Sequence, residues 1–295
     1  MSDEARERLF ALLGSPFELS RRDGRWLALA PDRIAFAVDD DAGWRRLGQE
    51  AWLLEKWRAG GVPAPRVLLD DPIRRVQIRE RMHGLSGTEI HRETELSPLY
   101  AGPKNPDVRE RLRDAPLSAF GERLAASYGD LAARIRRSVD VADARAVGVP
   151  ATSRRALDVD AAITALDATP ASDVAKRSAR RVRDWLVELP PIDAVIHADL
   201  HFHNMCASPT GEIVGVFDLS DAGPDSAETE LGYAHSLGSR FARLALDAHD
   251  GKLDERLVIH SHLRIALDHL LWHGPGTERH ASIVAWASAV FELLA

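Results

Sequence analysis

The sequence predicts an α+β protein in which a small antiparallel sheet precedes a larger, mostly helical part. Strand-like apolar runs separated by tight turns come first, near the N-terminus. From about Gly84 onward, apolar residues recur instead at the three- and four-residue spacing of helices. A hairpin pattern at residues 204–218 interrupts the helical part. These observations predict two parts, residues 1–83 and residues 84–295.

The composition is that of an ordinary soluble protein and argues against several functional classes. Of 295 residues, 45% are hydrophobic and 28% are charged, which is enough for a sizeable core. The net charge of -7 argues against nucleic acid as a partner and is compatible with a cationic small molecule. The single cysteine, Cys206, favours the cytoplasm. No apolar run reaches the roughly 18 residues that span a membrane, and the polar N-terminus is not typical of a signal peptide.

The N-terminal part combines one helix with consecutive strands. A short helix is predicted at residues 3–13, and three strands are expected after it: Phe17–Arg21, Arg25–Ala30 and Arg33–Val38. Asp23-Gly24 favours a tight hairpin turn between the first two strands, because both residues tolerate a positive φ. Two more strands are expected at Arg66–Leu69 and Arg75–Arg81.

A helix is predicted at Asp41–Ala59, with an acidic residue on its apolar face. Glu50 lies three residues after Leu47 and four before Leu54, so these side chains share one face. A carboxylate among apolar neighbours requires a partner. Glu50 is therefore expected to have a polar or charged partner in the folded protein.

The C-terminal part is predicted to be helical with one segment of unspecified fold. Helices are expected at Leu117–Val139 and Asp173–Leu189, and from Glu230 onward. Gly102–Pro106 favours a loop, and residues 140–170 form a polar stretch that indicates an insertion. The histidines after residue 230 are interpreted as surface or core residues, and Trp272 and Trp286 as core.

The most informative stretch is His197–Asn204, followed by Asp218. Between Asn204 and Asp218, two apolar runs flank a turn centred on Gly211, so a hairpin would bring these two residues together. Asp199 lies just upstream on a short loop. Three converging oxygen-bearing side chains suit a hard cation such as Mg²⁺, with one carboxylate left to act as a base.

This stretch resembles the catalytic loop of kinases, and in detail that of the aminoglycoside phosphotransferase and choline kinase-like family. That family has His-Gly-Asp-Leu-His-x-x-Asn followed by Ile-Asp-Trp, whereas this chain has Ala198 in place of Gly and Phe217-Asp218-Leu219. The resemblance implies a two-lobed protein-kinase-like fold, with a nucleotide-binding lobe at 1–83 and a catalytic lobe at 84–295. It also implies ATP and Mg²⁺ as cofactors, Asp199 as the catalytic base, and Asn204 and Asp218 as metal ligands.

The resemblance assigns further residues to nucleotide and substrate. Arg22, in the first hairpin, would cover the phosphates, and Glu80 and Met82 would lie in the hinge that binds adenine. His201 and His203 would line the substrate pocket, where Asp221 would face a cationic acceptor. The acidic residues Glu228 and Glu230 are interpreted as charging the start of the next helix.

One element of the family pattern is missing. By the resemblance, Glu50 would contribute to nucleotide binding by pairing with a strand lysine that holds the ATP phosphates, but Ala37 or Val38 occupies the lysine position and the first lysine in the chain is Lys56. Either an arginine (Arg22, Arg25 or Arg33) supplies the phosphate contact, or nucleotide is handled poorly. A kinase-like binding protein without catalysis is the alternative that follows.

A metal-dependent hydrolase is the second alternative, because Asp199-Leu200-His201-Phe202-His203 also fits the Asp-x-His-x-His zinc pattern. That pattern belongs to the first strand of a (β/α)₈ barrel of about 250 residues. Too few residues follow it here, which argues against the hydrolase. The phosphoryl acceptor stays open among an aminoglycoside-like antibiotic, a sugar and an amino alcohol.

Overall fold

The chain folds as a five-stranded antiparallel sheet followed by a mostly helical part. A computed structural model describes residues 4–13, 18–22, 24–94, 116–251 and 253–295. The loop predicted at Gly102–Pro106 lies outside these residues, as does Asp23 of the first turn. The strands are β1 (Glu18–Arg22), β2 (Arg25–Leu29), β3 (Arg33–Val38), β4 (Val67–Asp71), β5 (Val76–Glu80), β6 (Ala194–Ile196), β7 (Met205–Ala207), β8 (Ile213–Val216) and β9 (Gly223–Asp225).

The helices account for most of the chain after Glu80. They are α1 (Glu4–Leu13), α2 (Asp41–Ala59), α3 (Gly87–Thr94), α4 (Ala119–Ser138), α5 (Val141–Ala146), α6 (Val159–Asp167), α7 (Asp173–Arg181), α8 (Arg183–Val187), α9 (Ala227–Glu230), α10 (Ser239–Ala248), α11 (Glu255–Trp272) and α12 (His280–Glu292). Single turns of 3₁₀-helix lie at Ser153–Ala156 and Phe202–Asn204, with a longer one at Leu231–Leu237. Among the described residues, no helix is long and apolar enough to cross a membrane.

The sheet has the strand order β1-β2-β3-β5-β4, with every neighbouring pair antiparallel. Small side chains of β2 and β3 (Ala28, Ala35 and Ala37) are buried on one face, where Leu9 of α1 packs against them. The opposite face carries the larger residues Leu27 and Phe36 and lines a cleft. The sheet therefore has one structural face and one face available for a ligand.

Local sequence signals explain where the long helices begin. Asp40 caps α2 by accepting a hydrogen bond from the Gly43 backbone N–H at 2.7 Å. Ser118 caps α4 in the same way, through the Gly121 N–H at 3.1 Å. The helix α2 has the bounds that the periodicity predicts, and Glu50 is fully buried on its inner face.

Two predictions about the helical part are wrong. The helix expected at Asp173–Leu189 is divided at Val182 into α7 and α8, and α8 ends at Val187. Trp272 is 76% exposed at the end of α11, whereas Trp286 is buried as expected. Amphipathic spacing identifies a helix, but it does not show where a partner surface ends.

Two buried histidines that contact each other in the C-terminal core, His235 and His262, make stability depend on pH. The rings of His235 and His262 lie 5.7 Å apart, and the His262 ring also contacts Trp286. Burial lowers the pKa of His235 to about 4 and that of His262 to about 3. Both histidines therefore stay neutral in the folded protein, whereas in the unfolded chain they protonate near pH 6.5.

Stability is consequently expected to fall as the pH drops from 6.5 toward 4, by about 1.4 kcal/mol per pH unit for each histidine. Urea unfolding at pH 7 and pH 5 measures this loss. His262→Phe should make the loss smaller, and His280→Gln, at a partly exposed histidine, is the matched control. An identical loss in wild type and His262→Phe would contradict the assignment.

Candidate active site

The segment His197–Asn204, called the catalytic loop here after the kinase loop that it resembles, follows the buried strand β6. Two apolar side chains hold it against the core. Strand β6 is fully buried and pairs with β9, so the loop begins from a fixed point. Leu200 and Phe202 point into the core, at 0% and 1% exposure, while Asp199 and His201 between them are partly exposed. This alternation keeps the polar side chains of Asp199 and His201 out of the apolar core.

Two buried polar residues brace the loop. The His197 ring stacks on Trp57, and its Nε2 lies 2.9 Å from the Phe217 carbonyl oxygen. Glu230 accepts hydrogen bonds from the backbone N–H groups of His197 and Ala198 at 3.2 and 2.9 Å. Burial raises the pKa of Glu230. The interpretation of Glu230 as a mere helix-start charge is therefore wrong, because its carboxylate holds the catalytic loop.

Ala198 adopts a backbone conformation that normally favours glycine. Its φ is +66°, in the left-handed region that costs an L-residue roughly 1–2 kcal/mol. Alanine in place of the family's glycine therefore strains the backbone at residue 198.

Ala198→Gly is expected to change the free energy of unfolding by less than about 1 kcal/mol, because relief of strain offsets the lost methyl group. Ala198→Val should lower it by more than about 2 kcal/mol, because β-branched residues are poorly tolerated at positive φ. Chemical denaturation compares the two, with Ala194→Gly in β6 as a control expected to lose about 1 kcal/mol. A Val variant as stable as the Gly variant would contradict this account.

Asp199 is held by four hydrogen-bonding groups. Its Oδ1 accepts from the Tyr233 hydroxyl at 2.8 Å and from Arg154 Nη2 at 3.3 Å. Its Oδ2 accepts from Asn204 Nδ2 at 2.8 Å and lies 3.4 Å from His201 Nε2. Burial alone would raise the pKa of Asp199, but His201 and Arg154 outweigh it and hold the pKa well below its usual range. Asp199 is therefore an ionised, oriented carboxylate.

Arg154 is a site residue that the sequence reasoning missed. It lies in the polar stretch 140–170, on the 3₁₀ turn, and its side chain is 9% exposed. Besides Asp199, it donates to Asp268 Oδ2 at 2.8 Å and to the Tyr233 hydroxyl at 2.5 Å. The stretch 140–170 thus contains short helices and contributes a cation beside the proposed base. Its polar composition gave no signal of this contact.

The hairpin brings Asn204 and Asp218 to its open end, as predicted. Met205 pairs with Val216, and the Phe217 N–H donates to the Asn204 carbonyl at 3.0 Å. Gly211 forms the turn at φ +91°, where a Cβ would lie 2.7 Å from the Phe120 carbonyl oxygen. Both Asn204 and Asp218 line the same cleft.

These two residues fit a Mg²⁺ site of the kind completed by a nucleotide. Nδ2 of Asn204 donates to Asp199, so its amide oxygen is the atom that can act as a ligand. Asp218 is 41% exposed and offers a carboxylate. Mg²⁺ commonly takes one or two protein oxygens and completes its shell with phosphate oxygens and water. The donor set therefore suits Mg²⁺, although among the described residues no three His, Cys, Asp or Glu side chains form a metal site.

Glu50 is paired with arginines rather than a lysine. Arg79 on β5 lies 2.8 Å from Glu50 Oε2, and Arg25 on β2 donates to both carboxylate oxygens at 3.0 and 3.2 Å. Burial would raise the pKa of Glu50, but the charges of Arg79 and Arg25 keep it lowered. The partner predicted for Glu50 is therefore present, supplied by the strands on either side of β3.

Arg33, another of the arginines considered for the phosphate contact, does not reach Glu50. Arg33, at the start of β3, is 46% exposed and pairs with Asp32. The side chain of Arg22 lies outside the described part of the chain. Of the two residues considered for the lysine position, Ala37 belongs to the sheet face that packs on α1, whereas Val38 lies on the opposite face.

A cleft of about 430 Å³ separates the sheet from the catalytic hairpin. One end contains Arg25, Glu50, Asn204 and Asp218, and the other is lined by apolar side chains and the segment 80–84. Gly84 lies against the hairpin, where a Cβ would be 2.7 Å from the Ala207 carbonyl oxygen. The apolar residues that line the cleft include Leu27, Leu29, Ile34, Phe36, Met205 and Phe217.

The remaining predicted residues fall on two sides of the catalytic loop. Glu80 and Met82 line the cleft, and Glu80 also pairs with Arg66 at 3.2 Å. His203 lines the cleft, whereas His201 contacts Asp199. Asp221 accepts a hydrogen bond from Ser153 at 2.8 Å, on the side of the loop where Arg154 lies.

The zinc-hydrolase alternative does not fit this arrangement. Nδ1 of His201 accepts the His203 backbone N–H at 3.1 Å, and Nε2 faces Asp199, so both ring nitrogens are occupied. The motif lies on a loop and a 3₁₀ turn instead of the first strand of a barrel. The structure therefore removes the basis of that interpretation.

The fold matches solved phosphotransferase structures. The GDP complex of aminoglycoside 2'-phosphotransferase-IIIa is 14% identical with a TM-score of 0.68, and covers 97% of each chain. Macrolide 2'-phosphotransferase type I is 14% identical with a TM-score of 0.61, also over 97% of each chain. A choline/ethanolamine kinase family protein from Mesorhizobium loti is 17% identical, with a TM-score of 0.61 over 98% of this chain and 94% of that one. These similarities show the two-lobed kinase-like fold.

Sequence comparison identifies the family. No curated protein matches the chain. The profile of the phosphotransferase enzyme family matches residues 39–257, which include α2, the loop His197–Asn204 and the hairpin that ends at Asp218. The chain therefore belongs to this family, known as APH, and is an enzyme of the small-molecule phosphotransferase class.

Proposed function

We propose that this enzyme transfers the γ-phosphoryl group of ATP, with Mg²⁺, to a hydroxyl group of a small molecule. The observation that carries the proposal is the convergence of Asp199, Asn204 and Asp218 beside a cleft with one charged and one apolar end. Phosphoryl transfer depends mainly on positioning and charge stabilisation, which such an arrangement supplies.

Asp199 would accept a hydrogen bond from the acceptor hydroxyl and take its proton as the new O–P bond forms. The bond between the γ-phosphorus and the bridging oxygen breaks, and ADP leaves. The hydrogen bonds from Tyr233 and Asn204 hold the carboxylate in place. The contact from His201 is the longest of the four and involves a partly exposed ring, so the acceptor hydroxyl is expected to replace it.

Asn204 and Asp218 would hold Mg²⁺, which neutralises phosphate charge when bound. The adenine would lie at the apolar end of the cleft, against the segment that contains Glu80 and Met82. Arg22, at the tip of the β1–β2 hairpin, is proposed to cover the phosphates. The proposed boundary between the two lobes lies between residues 83 and 84, in the segment that joins the end of β5 at Glu80 to the start of α3 at Gly87.

The acceptor would bind on the side of Asp199 that faces Asp221, with His201 and His203 at its edge. Carboxylates there suit a cationic acceptor, such as an aminoglycoside-like antibiotic or an amino alcohol, and a neutral sugar is the other class. Solved structures with the same fold contain kanamycin and gentamicin, which supports testing amine-bearing compounds first.

Release of ADP from Mg²⁺-ATP, measured across a panel of hydroxylated small molecules, tests the proposal. At least one acceptor should stimulate release, and EDTA should abolish it. GTP in place of ATP distinguishes the two purine nucleotides. Nucleotide binding with no acceptor-dependent release from any compound would overturn phosphoryl transfer and favour a binding protein.

A further inference from the structure

The strand that supplies the phosphate-binding cation in related enzymes contributes none to this cleft. Directly paired residues of an antiparallel sheet lie on the same face. Arg25 pairs with Val38, and Leu27 pairs with Phe36. The cleft face of β3 therefore carries Ile34, Phe36 and Val38, which are all apolar.

Two cations come instead from the neighbouring strands. The guanidinium groups of Arg25 on β2 and Arg79 on β5 lie 5.4 and 4.5 Å from the centre of the Phe36 ring. Both contact the carboxylate of Glu50. Phe36 thus occupies the position between them, and aromatic contact supports both charges.

The two arginines differ in what else they contact. Arg79 is buried, and its Nε donates to Gln77 at 2.6 Å, so it is held within the sheet. Arg25 is 12% exposed and lines the cleft, where its Nη2 lies 3.3 Å from Asp218 Oδ1. Arg46, the third arginine near Glu50, directs Nη2 to backbone carbonyl oxygens at residues 219, 220 and 222. Of these three arginines, Arg25 is therefore the one whose guanidinium contacts Asp218 at the charged end of the cleft.

We propose that Arg25 binds the phosphates of the nucleotide in place of the missing lysine, and that phosphate replaces Asp218 on Arg25 when nucleotide enters. The inference rests on the proposed nucleotide-dependent function and adds an exchange of partners to it. A planar guanidinium can bind phosphate with two parallel hydrogen bonds. Once displaced, the Asp218 carboxylate is available to Mg²⁺, so the nucleotide-free protein keeps its metal ligand occupied by its own arginine.

Calorimetric titration of ADP, with and without Mg²⁺, and of adenosine tests the phosphate contact separately from turnover. Arg25→Gln should weaken binding of Mg²⁺-ADP by roughly 10- to 100-fold, because a hydrogen-bonded charge contact is lost. Binding of adenosine, which has no phosphate, should stay within about twofold of wild type. The control Arg33→Gln removes an ion-paired arginine of the same sheet and should leave both affinities unchanged.

The variant Asp218→Asn should change the affinity for ADP in the direction opposite to Arg25→Gln. Removal of the competing carboxylate should strengthen binding of Mg²⁺-free ADP by about 2- to 5-fold, as expected for loss of a partly exposed ion pair. The same variant should lose most of the gain in affinity that Mg²⁺ gives the wild type. A residue with only a structural role would not produce this pair of changes.

Arg25→Lys is the second variant, for use if Arg25→Gln does not fold, because it keeps a positive charge near Glu50. Its affinity for Mg²⁺-ADP should lie between those of wild type and Arg25→Gln. The inference is overturned if folded Arg25→Gln, or Arg25→Lys where the Gln variant does not fold, binds Mg²⁺-ADP as tightly as wild type. It is also overturned if Asp218→Asn weakens binding of Mg²⁺-free ADP. Wild-type protein that binds neither ADP nor adenosine would overturn the proposed function itself, and this inference with it.

Discussion

Asp199→Asn is expected to lower kcat by about 10²- to 10⁴-fold, the usual contribution of a positioned general base. The amide keeps the size of the carboxylate and one oxygen acceptor, but it cannot take the proton of the acceptor hydroxyl. Arg154 stays paired with Asp268, so no buried guanidinium is left without a partner. The variant should therefore fold normally and bind nucleotide as wild type does.

Acceptor-dependent ADP release, normalised to folded protein by circular dichroism, measures this effect. Asp167→Asn is the matched control, because Asp167 pairs with Arg180 on the surface and lies outside the site. Wild-type turnover in the Asp199→Asn protein would exclude Asp199 as the base.

Glu50→Gln is expected to cost about 3–5 kcal/mol of folding free energy. Glu50 is fully buried and neutralises Arg79, which is itself 4% exposed, together with Arg25. Removal of one partner of a buried ion pair leaves the other charge uncompensated, which is more costly than replacing both. The loss should appear first in the sheet, because both arginines belong to it.

Urea unfolding followed by tryptophan fluorescence measures the change. Glu50→Leu combined with Arg79→Leu should be less destabilised than Glu50→Leu alone, because it removes a buried charge together with its partner. The exposed pair Arg183–Asp160 provides a surface control, in which Arg183→Gln should shift the urea midpoint much less. An unchanged midpoint in Glu50→Gln would show that the pair does not stabilise the lobe.

The part of the site that lies close together in the chain could be predicted from sequence. Asp199, Asn204 and Asp218 are joined by one loop and one hairpin, and turn chemistry at Gly211 determines their proximity. The burial of Glu50 could also be predicted from the sequence, since helical periodicity alone places it among apolar residues.

Contacts between distant segments could not be predicted. Arg154 reaches Asp199 from a segment whose composition matches an exposed surface, and Glu230 reaches the loop from a short helix. The sequence left the lysine position open between Ala37 and Val38 for a different reason. Alternate residues of a strand face opposite sides, so a one-residue uncertainty in register changes the face.

The hairpin also determines how the two lobes can move. Leu85 exchanges two backbone hydrogen bonds with Ala207, at 2.7 and 3.1 Å, and the Val216 N–H donates to the Pro63 carbonyl at 2.8 Å. The chain passes from one proposed lobe to the other at residues 83–84, directly before Leu85, and Pro63 of the first lobe contacts the hairpin of the second, so these two points define an axis. Opening and closing of the enzyme is therefore expected to be a rotation about the line through Leu85 and Pro63, which swings the β1–β2 hairpin by the largest arc. Nucleotide exchange would then proceed without breaking either attachment.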